Sequence, residues 1–172
     1  MTETVSINEC VIYKLKEIIL DERTNDGTWC MLPYDGHKIG CPKFPKCVIK
    51  RNIDFKQIIM NNYKWYAIAK KFSLMKQENK IKDMHNEWSK KKCRCVYYYQ
   101  SSIKRDIKDT IKQYFGSSNK SIILDVPEAS GINVYSTMAK HGLYLKANYE
   151  DIIYKIMIVG INKELIQVKL ND

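Results

Sequence analysis

Between Lys91 and Phe115 the positions Cys95, Tyr99, Ile103, Ile107, Ile111 and Phe115 recur every four residues among lysines, aspartates and serines. That spacing predicts a helix over about 91–115 with one buried face. Leu74, Met75, Ile81, Met84 and Trp88 form a thinner stripe in a polar stretch and predict a surface helix from Ser73 to about Trp88. Two runs, Tyr63 to Phe72 and Ile152 to Ile161, are dense in aromatic and apolar residues and predict strands. Ser121 to Val126, a β-branched run with turn residues on either side, predicts another. Residues Cys10 to Glu22 carry Val11, Leu15, Ile18 and Ile19 at helical spacing, and helix is preferred there, although Val11-Ile12-Tyr13 would equally open a strand. Asn52 caps a short helix with Phe55, Ile58 and Ile59 inward. Val134, Met138 and Ala139 open a helix that stops at His141-Gly142, and Glu164 to Leu170 would add an edge strand.

The alternating order of helices and strands, with no internal repeat and no low-complexity linker, predicts an α/β (or α+β) fold. We expect a single domain over 1–172, a mixed sheet of about four strands with helices packed on it, and a long cysteine-rich loop. A chain of 172 residues, 45 % hydrophobic, is large enough to bury one core unaided. Its longest apolar run, Ile152 to Ile161, is interrupted by Lys155 and is too short to cross a bilayer, so no membrane is expected as a partner.

Chemistry concentrates between Trp29 and Cys47. Cys30, Cys41 and Cys47 share this stretch with His37, three prolines and two glycines. So many turn formers exclude a regular helix or strand, and order has to come from elsewhere. Three thiols and an imidazole point to a metal-binding loop over 26–51. The spacing C-x10-C-x5-C is neither a zinc finger nor a ferredoxin run, both of which use tight C-x2-C pairs. Cys93 or Cys95 would supply a fourth thiolate. If Cys95 opens the long helix on its core side, the helix dipole and Lys90, Lys91, Lys92 and Arg94 would stabilise thiolates there. Inert buried thiols and a disulfide framework are the competing readings. The first ten residues lack the pattern of a secretory signal, which leads us to expect a reducing, cytoplasmic setting.

Charge adds a second line. With 29 Lys+Arg against 19 Asp+Glu the formal net charge is +10, which favours encounter with polyanions. Tyr63, Trp65, Tyr66, Lys70 and Lys71, and then Lys90 to Arg94 followed by Tyr97, Tyr98 and Tyr99, interleave cations with rings that could stack on unpaired bases. Nucleic acid or another anion is the partner this pattern suggests.

Three motifs carry a resemblance. Trp29-Cys-x2-Pro-Tyr-x2-His-x2-Gly-Cys-Pro-x-Phe44, then Arg94-Cys95 before an aromatic cluster, then Pro127-Glu-Ala-x-Gly-x-Asn-Val134 together resemble a group of uncharacterised cysteine-rich metal-binding proteins over roughly residues 29 to 161. The resemblance implies a metal or iron-sulfur site at Cys30, Cys41, Cys47 and Cys95 with His37 nearby, and supplies no reaction. This chain departs from the group's pattern at Cys47-Val48, where a Cys-Pro-Pro element is reduced, and at Val126, where a cysteine is replaced. Four thiolates suit an iron-sulfur cluster, for instance [4Fe-4S], or zinc, and His37 in place of one thiolate favours zinc.

A catalytic assignment finds little footing. No P-loop, G-x-G-x-x-G or H-E-x-x-H occurs, and His37, His85 and His141 sit in no catalytic motif. Asp125 and Glu128 read as a turn residue and a helix-start charge rather than a carboxylate pair. The reading is a metal-binding protein with a Cys-ligated centre, enzymatic character undecided, with Arg94 and its neighbouring lysines binding an anion. The alternative is a basic nucleic-acid-binding protein whose zinc site is purely structural.

Overall fold

The computed structural model describes residues 4–20, 63–95, 97–116, 121–146 and 151–162. Among them five strands form one antiparallel sheet in the order β1-β2-β3-β5-β4, with β1 Thr4–Ile7, β2 Cys10–Leu15, β3 Tyr63–Ser73, β4 Ser121–Leu124 and β5 Ile152–Asn162. The helices are α1 Leu74–Met84, α2 Lys90–Cys93, α3 Tyr97–Phe115 and α4 Val134–Lys140, with a 3-10 turn at Pro127–Ser130. The described residues therefore have an α+β organisation, and the five strands are close to the four or so expected, but every strand pair is antiparallel where a mixed sheet was expected. The expected cysteine loop, the Asn52 helix and the Glu164–Leu170 edge lie outside the described residues.

β3 and β5 are the long central pair, in register from Tyr63↔Asn162 to Ser73↔Ile152. Their sequences are apolar almost throughout because both faces of this sheet are covered. On one face Cys10, Ile12, Ile68, Met157, Val159 and Ile161 pack against Leu74, Ile81, Cys93, Ile103, Ile107 and Ile111 from the first three helices. On the other, Leu15, Trp65, Ala67, Ala69, Ile156 and Ile158 pack against Ile132, Val134 and Met138. Burying one side chain such as Ile107 stabilises the fold by roughly 1.5–3 kcal/mol. Trp65 lies over its cross-strand partner Gly160, where an added Cβ would stand 2.7 Å from the ring.

Residues Cys10 to Leu15 are strand, not helix. Cys10 and Ile12 face α3 while Val11 and Tyr13 face the other way, so the alternation of a two-sided strand outweighs the spacing of Val11, Leu15, Ile18 and Ile19. The helix expected over 91–115 is broken into α2 and α3. Of the expected stripe, Ile103, Ile107 and Ile111 are buried together with Thr110, and Phe115 packs against the same core. Cys95 is exposed, and the buried position before α3 is taken by Cys93. β4 stops at Leu124, two residues before the expected end, where the chain turns towards Pro127.

α1 is fixed at its start by two caps. Ser73 Oγ accepts from Lys76 N at 3.1 Å, and Asp151 Oδ1 accepts from Met75 N at 2.7 Å. Leu74 and Ile81 are buried while Met75 and Met84 are exposed, as a surface helix requires.

Candidate metal centre

Cys30, His37, Cys41 and Cys47 fall outside the described residues, which end at Leu20 before them and resume at Tyr63 after them. The chain leaves β2 at Leu15, whose register partner is Trp65, and rejoins the sheet at Tyr63, opposite Asn162. The departing stretch is pinned by α4 and the turn before it. Lys16 N donates to His141 Nε2 at 2.9 Å, Ile19 N to Thr137 Oγ1 at 3.0 Å, and Asn133 N to Ile19 O at 2.8 Å, while Leu20 bridges Ile132. Ile132 and Asn133 belong to the Pro127-Glu-Ala-x-Gly-x-Asn-Val134 motif, so the stem of the cysteine-rich segment and that motif are held together through backbone groups.

His141 is buried and structural. Its Nε2 must be the acceptor for the Lys16 N–H, which leaves Nδ1–H to donate to Thr137 O at 2.7 Å. The neutral tautomer fits both partners.

Cys95 stands elsewhere. Asp106 meets Lys70 at 2.7 Å and Phe115 packs on Tyr66 at 4.8 Å, so α3 runs antiparallel to β3. From Asp106 to Phe115 the helix advances about 13 Å, matching the strand from Lys70 back to Tyr66. Followed the other way, the start of α3 and Cys95 lie at the Ser73 end, away from Leu15 and Tyr63. Arg94 agrees with this placement, because its charge helps hold the Asp151 carboxyl below its usual range beside Ser73. Cys95 is exposed rather than turned to the core, whereas Cys10 and Cys93 are buried, and Cys93 Sγ lies 3.9 Å from Trp88 O. Among the described residues no three His, Cys, Asp or Glu side chains come together as a metal site.

Arg94, expected to bind an anion, pairs with Glu78 of α1 at 3.4 Å. The rings expected to stack on bases also have protein neighbours. Trp65 is buried and tilted against Tyr63, Tyr66 packs on Phe115, and Trp88 carries His85 stacked at 4.1 Å and the Lys92 ammonium 3.6 Å from its ring centre.

A pair of lysines escaped the sequence reading. Lys70 and Lys155 are directly opposite in β3 and β5, on the face that carries α3. Burial pulls the Lys70 pKa down, but its hydrogen bond and ion pair with Asp106, helped by Glu9 at 3.7 Å, outweigh that and raise it overall. Lys155 lacks such compensation. Its Nζ donates to Asp125 O at 2.8 Å, and burial, then the neighbouring Lys104, push its pKa down against the opposing pull of Glu128 and Asp125. The available signal was a single charge inside the apolar run Ile152 to Ile161.

Neither the protein families nor the curated proteins and solved structures compared with this chain include a match.

Proposed function

We propose that the chain is a metal-binding protein whose centre is built by Cys30, Cys41 and Cys47 with His37 as the fourth ligand. The observation that carries this reading is the convergence of Leu20 on Ile132, which tethers the stem of the cysteine-rich segment to the third motif of the resemblance. Three thiolates and an imidazole are a common tetrahedral zinc set, whereas a four-thiolate iron-sulfur cluster would need a further cysteine such as Cys95. Anaerobic purification followed by elemental analysis and visible absorption distinguishes them. We expect a colourless protein with one zinc per chain, lost in Cys41→Ser and in His37→Ala and kept in Cys95→Ser. A brown protein whose colour disappears in Cys95→Ser would assign the centre to iron and sulfur, and a metal-free protein would end the proposal.

A second reading, nucleic-acid binding around a structural zinc, draws on the exposed Lys76, Lys80, Lys90 and Lys91 of the consecutive helices α1 and α2. With the neighbouring rings engaged in packing, contacts would be to phosphate, and binding to single-stranded DNA should weaken steeply and linearly on a log-log plot as salt rises. Replacing these four lysines with alanine should flatten that slope. An unchanged slope would remove this reading.

A further inference from the structure

β4 pairs only with Ile158 to Ile161, so β5 from Ile152 to Met157 continues past the end of its neighbour. Beside that edge, which no strand among the described residues covers, lies a cleft of about 700 Å³ lined by Glu128, Tyr135, Tyr144, Lys146, Tyr154 and Lys155. Lys155 occupies the place just beyond β4, where the turning chain offers it the carbonyl of Asp125. Lys104 of α3 reaches Asp125 Oδ2 at 3.4 Å, and Lys70 stands across the strand with its charge answered by Asp106. Lys104 is therefore the cation that bears on Lys155. Among the described residues Lys155 forms no ion pair of its own. An amine that is desolvated and set beside another cation is the arrangement that favours a neutral, nucleophilic nitrogen.

We propose that Lys155 captures small carbonyl compounds bearing an acidic group as imines, with Lys146 facing the acidic group. The neutral Nζ, with one N–H at first on Asp125 O, directs its lone pair at the carbonyl carbon, and that hydrogen bond is given up as the imine forms. A C–N bond forms as the carbonyl π pair moves to oxygen, and the oxygen then leaves as water. Both amine hydrogens depart on that water, relayed by the Glu128 carboxylate. No oxidant or reductant is consumed.

Reductive trapping tests the proposal on the full chain. Glyoxylate and cyanoborohydride at neutral pH should label Lys155 several-fold faster than the exposed Lys90 and Lys91 in peptide mass spectra, since each unit of pKa depression raises the neutral amine about tenfold. In Lys104→Gln the pH of half-maximal labelling at Lys155 should move up, because the cation bearing on Lys155 is gone while Glu128 and Asp125 remain, and Lys70 stays paired with Asp106. Lys146→Ala should raise the glyoxylate concentration needed without moving that pH. Labelling of Lys155 no faster than of Lys90, or a pH profile unmoved by Lys104→Gln, would overturn the proposal. An unchanged glyoxylate requirement in Lys146→Ala would overturn the acidic-group assignment.

Discussion

Asp151 does for α1 what a residue inside the helix usually does. Its carboxylate accepts from Met75 N and from Ser73 Oγ, and these two hydrogen bonds, in that order, hold its pKa below the usual 3.8 against a small desolvation cost. A depressed carboxyl pKa means that the folded state holds the proton less tightly than the unfolded chain does. The stabilisation is thus complete above pH 3.8 and is lost as pH falls through the lower, folded value. Asp151→Asn should be less stable than the parent at neutral pH and should close part of that gap at the acid end of a urea-midpoint series. A constant gap across the series would show that the carboxylate's charge is not what anchors α1. Ser73, adjacent in sequence to the helix, was legible as a boundary residue. Asp151 was not, because it comes from the far side of the chain and only the pairing of Ser73 with Ile152 brings it there.

At the level of elements, α4 is short, and its importance lies in what it holds. Replacing His141 with Phe would strand the Lys16 N–H and the Thr137 carbonyl in a buried setting, at a cost of roughly 1–3 kcal/mol. Hydrogen exchange at the Lys16 and Ile19 amides should then accelerate more than exchange in β3. Equal acceleration everywhere would mean a global loss of stability instead of a loosened stem. The elements most legible in the sequence were β3, β5, α1 and α4, whose apolar patterns are long or cleanly capped. β1 and β2 were hidden for two reasons. Thr4, Val5 and Ser6 are exposed and show no buried face, and the hairpin turn is Asn8-Glu9, with φ of 50° and 61°, in place of the glycine-bearing turn that would have announced it. The split between α2 and α3 was hidden because the four-residue repeat reads straight through it.

For the whole molecule, the described strand ladder and the candidate ligands Cys30, His37, Cys41 and Cys47 occupy different stretches of chain. Of the proposed site, residue type and crowding single out Cys30, His37, Cys41 and Cys47 in the sequence, and all four lie outside the described residues. The place of Cys95 at the Ser73 end of β3 depended on the direction of α3 relative to β3, which no local pattern encodes. The lysine cluster was equally non-local, because Lys70, Lys104 and Lys155 come from three elements. If metal and sheet are independent, a chain in which residues 21–62 are replaced by a short glycine-serine linker should keep its β-rich circular dichroism and cooperative unfolding while binding no zinc. Collapse of both together would show that the metal supports the sheet.

Leu15 and Trp65 face each other across neighbouring strands, so the chain sets out and comes home at almost the same point. A stretch inserted between such closely spaced anchor points behaves as a cassette. It can be lengthened, exchanged or grafted at little topological cost, and a lineage could refit the chemistry carried there while the scaffold beneath it stayed as it was.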